Sequence, residues 1–431
     1  MKLKRKNLFK TLVVALSISL LAPFANKVSA QETNIEAPEI IGESAITIDI
    51  NTGEVIYSKN AELKLSPAST TKLMTALIFA ENKSKSDMLT FTDTILKVTE
   101  TSLNNYKHIS PGDRISADDT MKAVMIFSAN DTAYLMAESA GGTVENFIDM
   151  MNNKANDLGL KNTHFVNPSG LEIDPLNPSN SEINQTTAYD LAQIGIAAFK
   201  NDWVRETMAP KDKELTINLA GTPIIIESKN KILGKNGNIG GKTGTETQAG
   251  HCFVGFYEKD GRDLVTVVLK SEYGATGMHV FEDTEEIANY SYSASKEVYK
   301  NSGDEIGTTD LTYKAFKFFG PEKKITAPII LNQDVEYYKN EFNDKNATIS
   351  YDEGSKDAWK ISGHDEVKLT FSTPGYSEEV SGIIKVSSLE LLKSNLPIYL
   401  LSILIIIIIL TLIIFISKII KMKNRKKRRY Y

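Results

Sequence analysis

Pro67-Ala68-Ser69-Thr70-Thr71-Lys72-Leu73-Met74-Thr75 is the stretch on which the reading of this 431-residue chain turns. The Pro-Ala pair leads into a helical pattern in which Leu73, Ala76, Leu77 and Ala80 form one apolar stripe. Ser69 and Lys72 stand three positions apart, so a helix sets both side chains on one face, one turn apart. Ser69 falls at the start of that helix, where unpaired amides and the helix dipole favour developing negative charge. A hydroxyl is a poor nucleophile until a base takes its proton. Lys72 can act as that base only if burial or a nearby cation lowers its pKa. Taken alone, Ser-x-x-Lys is most often just a capped and solvated helix start.

Two further triplets change that weighting. Ser128-Ala129-Asn130 interrupts a helical region, so its polar side chains sit at a junction. The Ser128 hydroxyl can pass a proton between Lys72 and a leaving amine, and the Asn130 amide offers both a donor and an acceptor. Lys242-Thr243-Gly244 opens a run of strand-like sequence. Its cation and hydroxyl suit a carboxylate, and Gly244 allows a substrate backbone to come close. The edge of such a strand can pair with an extended peptide. The backbone amides of Ser69 and Thr245 are then the candidates for an oxyanion hole. Nucleophile, proton relay and anion-binding strand together make a complete acyl-transfer apparatus.

Outward from these motifs the pattern is mixed. Residues 45–49 and 55–58 read as a hairpin around Asn51-Thr52-Gly53. Asp118 and Asp119 are expected to cap a helix running to about Phe127, a second helix ends at Gly141-Gly142, and others cover residues 144–158 and 187–199. Residues 250–257 and 264–269 are short, rich in Val and Phe, and read as strands; residues 282–299 read as a helix. Strands at both ends with helices between predict an α+β fold, an antiparallel sheet with helices packed on it. Beyond Asn301-Ser302-Gly303-Asp304 the pattern shifts to short alternating segments, clearest over residues 367–371, which predicts a small β-rich domain.

The two ends of the chain differ. Lys2, Lys4, Arg5, Lys6 and Lys10 precede a short apolar stretch and Val28-Ser29-Ala30, the layout of a cleavable secretory leader over residues 1–30. Residues 398–416 carry no charge and are rich in Ile and Leu, enough for about 28 Å of helix, close to one hydrocarbon thickness. A basic run over residues 418–429 follows, which predicts a transmembrane helix at 398–417, a cytoplasmic tail at 418–431 and an extracytoplasmic body. Of 49 basic residues, six lie in the leader and eight in the tail, leaving 35 against 54 acidic ones in the body. So acidic a body argues against nucleic acid as a partner. Cys252 is the one cysteine, so no internal disulfide forms, and the five histidines show no metal-ligand spacing. No metal or other cofactor is called for. Cys252 reads as a small buried residue, with a reagent-accessible thiol near the site as the alternative.

With these residues in view, the chain resembles the D-alanyl-D-alanine carboxypeptidase family of low-molecular-mass penicillin-binding proteins. The likeness spans residues 45–292. It includes Asn167-Pro168-Ser169-Gly170-Leu171, Thr187-Ala188-Tyr189-Asp190-Leu191-Ala192 and Phe281-Glu282-Asp283-Thr284 beside the three triplets. It implies a β-lactamase/transpeptidase-like catalytic domain at 38–298, a small β domain at 305–390 and a C-terminal membrane attachment. It also implies removal of the terminal D-Ala from peptidoglycan stem pentapeptides, with acylation of Ser69 by β-lactams. Lys72 would be the base, Ser128 and Asn130 the relay, and Lys242 and Thr243 the seat of the terminal carboxylate. Two features depart from the family: Asn238-Ile239-Gly240-Gly241 stands where relatives often have Asp-Gly, and Thr245 where some have His. A class A β-lactamase would need a deacylating Glu about 36 residues after the second motif. That window is His164-Phe165-Val166-Asn167-Pro168. A D,D-endopeptidase acting on cross-links uses the same nucleophile and stays open. A non-catalytic wall-binding protein would be expected to have lost a motif residue.

Overall fold

The computed structural model describes residues 35–351, 356–362 and 366–427. The expected leader over residues 1–30 and the last four residues of the basic tail lie outside the described residues. The described residues from Ala37 onward form one compact unit, to which everything below belongs.

Strands β1 (Ser44–Asp49) and β2 (Val55–Lys59) form the expected hairpin. Its turn is held by Asp49, whose carboxylate accepts from the amides of Asn51 and Thr52, each at 3.0 Å. The serine stretch starts as a tight 3-10 turn, Ala68–Thr71, that continues into α1 (Lys72–Asn82). Two short strands follow, β3 (Met88–Thr90) and β4 (Arg114–Ser116).

Helix α2 (Ala117–Lys122) corrects the expected cap. Ser116 is the capping residue, its Oγ accepting from Asp119 N at 3.0 Å, while Asp118 and Asp119 supply negative charge to the first turn. The helix then widens into a π-helical turn, Ala123–Phe127, and stops at Ser128, which has φ of 71°. After the extended Ala129, α3 (Asn130–Gly141) begins. The widened turn and left-handed break therefore set Ser128 and Asn130 at the mouth of a new helix. Next come α4 (Val144–Asp157), α5 (Ala188–Lys200) and α6 (Asp202–Met208).

The next elements are β5 (Glu214–Leu219), β6 (Thr222–Glu227), β7 (Asn238–Glu246), β8 (Gly250–Lys259), β9 (Arg262–Ser271) and α7 (His279–Ser293). The β5–β6 hairpin completes a four-stranded sheet, β3-β4-β5-β6, that the sequence pattern does not announce. Helix α7 ends at Ser293, earlier than expected. Glu297–Lys300 is instead strand β10, in which Glu297, Val298 and Lys300 pair with a later strand and the register shifts across Tyr299.

The principal sheet runs β2-β1-β9-β8-β7, antiparallel throughout, with β7 at one edge. Its central strands are apolar on both faces because both faces are covered. Val254, Phe256, Val265 and Val267 join the core that includes α1, α3 and α5. The alternating neighbours Phe253, Tyr257, Leu264 and Val268 face Val280, Phe281 and Ile287 of α7. Burial contributes roughly 1.5–3 kcal/mol per side chain of this size, which is why β8 and β9 read as continuous apolar runs.

Beyond β10 lie β11 (Glu305–Lys314), β12 (Glu322–Leu331), β13 (Val335–Tyr337), α8 (Glu341–Asn346), β14 (Thr348–Ser350), α9 (Ala358–Ile361), β15 (Val367–Thr373) and β16 (Tyr376–Ile384). A second five-stranded sheet, β11-β12-β16-β15-β14, has its own core around Leu311, Tyr313, Leu369, Phe371 and Val380. This is the expected β-rich domain. It touches the part built on the principal sheet through α8 and the residues that lead into it. Phe342 stacks on Tyr189 of α5 with ring centroids 4.8 Å apart, and Asn340 and Asn343 donate to Val55 O. Helices α10 (Ser388–Ser394) and α11 (Leu396–Lys427) close the chain. Among the described residues, α11 is the one helix long and apolar enough to cross a membrane, and its most apolar stretch is not buried against the rest of the chain. It runs past the apolar stretch into the basic tail.

Candidate active site

Three elements converge on one cleft of about 210 Å³: the serine turn heading α1, the break heading α3, and the edge strand β7. Ser69, Ser128, Asn130, Thr243, Gly244 and Thr245 line it. Lys72 and Lys242, 0% and 1% exposed, are buried behind them. A larger open groove of about 900 Å³, walled by Pro210, Lys213, Leu233 and Glu258, contains none of the motif residues. Chemistry, not size, identifies the site.

Lys72 Nζ has three neighbours: Ser69 Oγ at 2.8 Å, Asn130 Oδ1 at 2.6 Å and the Ser169 carbonyl at 2.7 Å. The amide and carbonyl oxygens can only accept. Asn130 cannot turn over, because its Nδ2 donates to Glu100 O at 2.9 Å. A neutral Lys72 therefore spends its two N–H bonds on Asn130 and Ser169, and its lone pair faces the hydroxyl of Ser69. Burial pulls the Lys72 ammonium down to about 7, against the opposing pull of Glu246, Glu100 and Asp131. A substantial neutral fraction then exists near neutral pH.

Lys242 Nζ donates to Ser128 Oγ at 2.8 Å and to Thr243 O at 2.8 Å. Burial pushes its pKa well below the ordinary lysine range, helped by the like charges of Lys72 and Lys229. The contacts thus sort the two serines between the two lysines: Lys72 holds Ser69, and Lys242 holds Ser128. An arriving carboxylate would restore the charge on Lys242.

The serine turn is held by a loop. Ala68, directly before the nucleophile, has φ of 47°, a conformation that costs a residue with a Cβ roughly 1–2 kcal/mol. Gly170, with φ of 87°, lies so close that a Cβ there would stand 1.8 Å from Ala68 O. Its loop is tied by Asn167, whose Oδ1 accepts from Ser169 N at 3.1 Å and from Gly170 N at 2.7 Å. Asn184 joins this loop to the turn by donating to Asn167 O and to Thr71 Oγ1, both at 3.0 Å. On the opposite side, β7 presses against the turn. A Cβ on Gly244 would come within 2.9 Å of both Pro67 O and Ser69 N.

All eight residues singled out from the sequence meet here. Sequence reasoning passed over the roles of Asn167, Ser169, Gly170 and Asn184, although the Asn167-Pro168-Ser169-Gly170 string is dense in turn formers. Asp131, which follows the second motif and belongs to the family resemblance, was likewise given no role. That buried carboxylate accepts from Ser102 Oγ at 2.6 Å and Leu103 N at 2.9 Å, and so staples to α3 the loop that supplies Glu100 O. Glu246 and His251 line the cleft as well. Burial, then Glu100 and Glu172, raise Glu246 to about 7, and burial with Lys231 lowers His251 to about 4. Asn238 accepts from Asn230 Nδ2 at 2.9 Å and donates to Phe256 O at 3.2 Å, where β7 shifts register against β8. Cys252 lies opposite Gly244 in that pairing, fully buried, its thiol pushed up to about 12 by burial.

Residues 31–272 match the family model described as D-alanyl-D-alanine carboxypeptidase. The chain belongs to that family. It is 30% identical over 266 residues to D-alanyl-D-alanine carboxypeptidase DacF of Bacillus subtilis, covering 61% of this chain and 66% of the relative. It is likewise 30% identical over 251 residues to a D-alanyl-D-alanine endopeptidase of Escherichia coli, covering 57% of this chain and 77% of that one. Penicillin-binding protein D2 of Listeria monocytogenes, solved in an ampicillin-bound form, superposes with a TM-score of 0.52 at 28% identity, over 59% of this chain and all of the other. The chain spans just under two thirds of the length of the carboxypeptidase relative. The likeness covers the catalytic part and its fold of antiparallel sheet and helices.

Proposed function

We propose that this protein is a serine D-Ala-D-Ala carboxypeptidase that trims the terminal D-Ala from peptidoglycan stem pentapeptides. The observation that carries the reading is the contact set of Lys72, two acceptors and the Ser69 hydroxyl, which leaves its lone pair for one use. Ser69 Oγ attacks the carbonyl of the D-Ala-D-Ala bond as its proton passes to Lys72. The oxyanion takes hydrogen bonds from the Ser69 and Thr245 amides. Lys242 and Thr243 hold the terminal carboxylate. The C–N bond breaks as the leaving amine receives a proton through Ser128, and D-Ala departs. Water then attacks the ester, its proton passes to Lys72, and Ser69 and the tetrapeptide are released. A β-lactam would acylate the same oxygen.

The rest of the chain fits that work at a membrane surface. A leader removed after Ala30 would export residues 38–298 as the catalytic domain and 305–390 as the β domain. Helix α11 is a candidate anchor, and the basic residues from Lys418 onward support a cytoplasmic C-terminal end, because Lys and Arg flanking a span favour the cytoplasmic side. A second reading, endopeptidase action on cross-links, is supported by the endopeptidase relative.

Full-length protein in detergent, given a stem pentapeptide, should release one D-Ala per peptide, with a tetrapeptide as the other product. Ser69→Ala should release none and take up no labelled penicillin. Penicillin uptake at Ser69 without D-Ala release would turn the assignment to the endopeptidase, with cross-linked dimer as its substrate. Uptake at a different serine would end it.

A further inference from the structure

The tip of the β11–β12 hairpin carries two phenylalanines that the fold leaves in the open. Phe318 is 79% exposed and Phe319 66%. They sit on a tight, ordered turn. Phe316 N donates to Phe319 O at 3.0 Å, Lys317 N donates to Lys314 O at 3.0 Å, and the rings of Phe316 and Phe319 stack at 5.0 Å. Residues 314–324 hold four lysines and one glutamate. An ordered, protruding apolar pair ringed by cations indicates a surface with an occupant.

The neighbours of the hairpin say which occupant. The ring of Phe316 packs 5.2 Å from that of Tyr399, and the Tyr399 hydroxyl donates to Ala315 O at 2.5 Å. Lys323 Nζ donates to Ser394 O at 3.2 Å. Tyr399 lies in the first turn of α11, at the start of the uncharged run over residues 398–416. From Tyr399 to Ile416 the helix rises about 26 Å, close to the roughly 30 Å of a hydrocarbon core. Tyr399 therefore stands where the bilayer begins, and the hairpin tip beside it stands at the same depth.

We propose that the β11–β12 hairpin is a second membrane contact, in which Phe318 and Phe319 enter the interfacial layer of the bilayer that α11 spans. Lys314, Lys317 and Lys324 stay among the headgroups, where anionic lipid suits them. Phe, like Trp and Leu, is a residue that interfacial segments bury at the headgroup–acyl boundary. One helix alone leaves a body free to tilt and rotate. A second contact beside it fixes the β domain, and with it the cleft, at a set attitude to the surface. The proposal rests on α11 being a membrane span.

The test uses the full-length chain, one copy per nanodisc of phosphatidylglycerol and phosphatidylcholine. Nitroxide labels are placed singly by Phe318→Cys, Ile408→Cys and Ser377→Cys; the native Cys252 is buried and its thiol pKa high. Power saturation of the spin signal is read with oxygen and with a water-soluble nickel chelate. The Phe318→Cys label should be several-fold more accessible to oxygen, relative to chelate, than the exposed Ser377→Cys label, and less so than the Ile408→Cys label. A water-like signal at 318 beside a lipid-like signal at 408 overturns the hairpin contact and leaves the span standing. Water-like signals at both positions overturn the span, and the proposal with it. Protection at 318 that appears only with two copies per disc assigns the patch to a second chain and also overturns it.

Discussion

The pH dependence of acylation tests the Lys72 base most directly. A lysine is a base only when neutral, and it is neutral above its pKa. With Lys72 at about 7, the neutral fraction is about 0.1 at pH 6 and about 0.9 at pH 8. The second-order rate of penicillin acylation, which reports the free enzyme, should rise about tenfold over that interval and level off above pH 8. An unperturbed lysine would give a climb of about 100-fold over the same interval, with no plateau until beyond pH 10. Glu246, raised to about 7, titrates in the same window, so the assay needs Glu246→Gln. Because Glu246 pulls the Lys72 pKa upward, its neutralisation should keep the rise and move the midpoint to lower pH. A Gln variant whose rate no longer depends on pH would assign the midpoint to the carboxylate, and a rate still climbing tenfold per unit at pH 9 would refute the lowered lysine. The same shift has a stability signature. Between about 7 and 10.5 the unfolded chain holds a proton at this lysine that the folded chain lacks, so Lys72 makes stability rise with pH across that window. The total is on the order of 5 kcal/mol, absent above 10.5 and subtracted in full below about 7.

Gly170→Ala should lower stability by about 3 kcal/mol or more and abolish penicillin uptake, since its Cβ would collide with the Ala68 carbonyl. Gly112→Ala, also at positive φ but with open space around the added carbon, should cost only about 1 kcal/mol; equal melting shifts for the two would remove the clash argument. Phe342→Ala should cost about 3–5 kcal/mol in chemical denaturation, because it empties the contact with Tyr189. It should also speed proteolysis between the catalytic and β parts while Ser69 still labels; unchanged proteolysis would mean that α8 does not secure the junction. Cys252 should resist iodoacetamide at pH 8 for as long as the protein is folded, and react at once in denaturant. Rapid alkylation of native protein, with loss of penicillin uptake, would restore the reading of an accessible thiol beside the site.

Much of this site is legible in the sequence, because its reacting groups cluster in three short strings. Ser69 and Lys72 share a helical face by spacing alone, and the break at Ser128 follows from polar residues between two apolar helical runs. The β-rich domain and the apolar terminal helix show in alternation and in an uncharged run. Elements without such a signal were less visible. The β5–β6 hairpin faces solvent too much to stand out, and the end of α7 depends on a partner strand more than 30 residues away.

Residue type and local spacing depend only on neighbours along the chain, so the sequence by itself determined which groups could react and in what order the elements come. What each group does depends on distances between elements far apart in sequence, and only the tertiary structure decided those. Ser169 reaches Lys72 across 97 positions and Lys242 reaches Ser128 across 114. Packing buried both ammonium groups, and burial lowered their pKa values. It also oriented Asn130 through a carbonyl on a stapled loop, pressed Gly170 against the serine turn, and brought a lysine-ringed phenylalanine hairpin beside the first turn of α11.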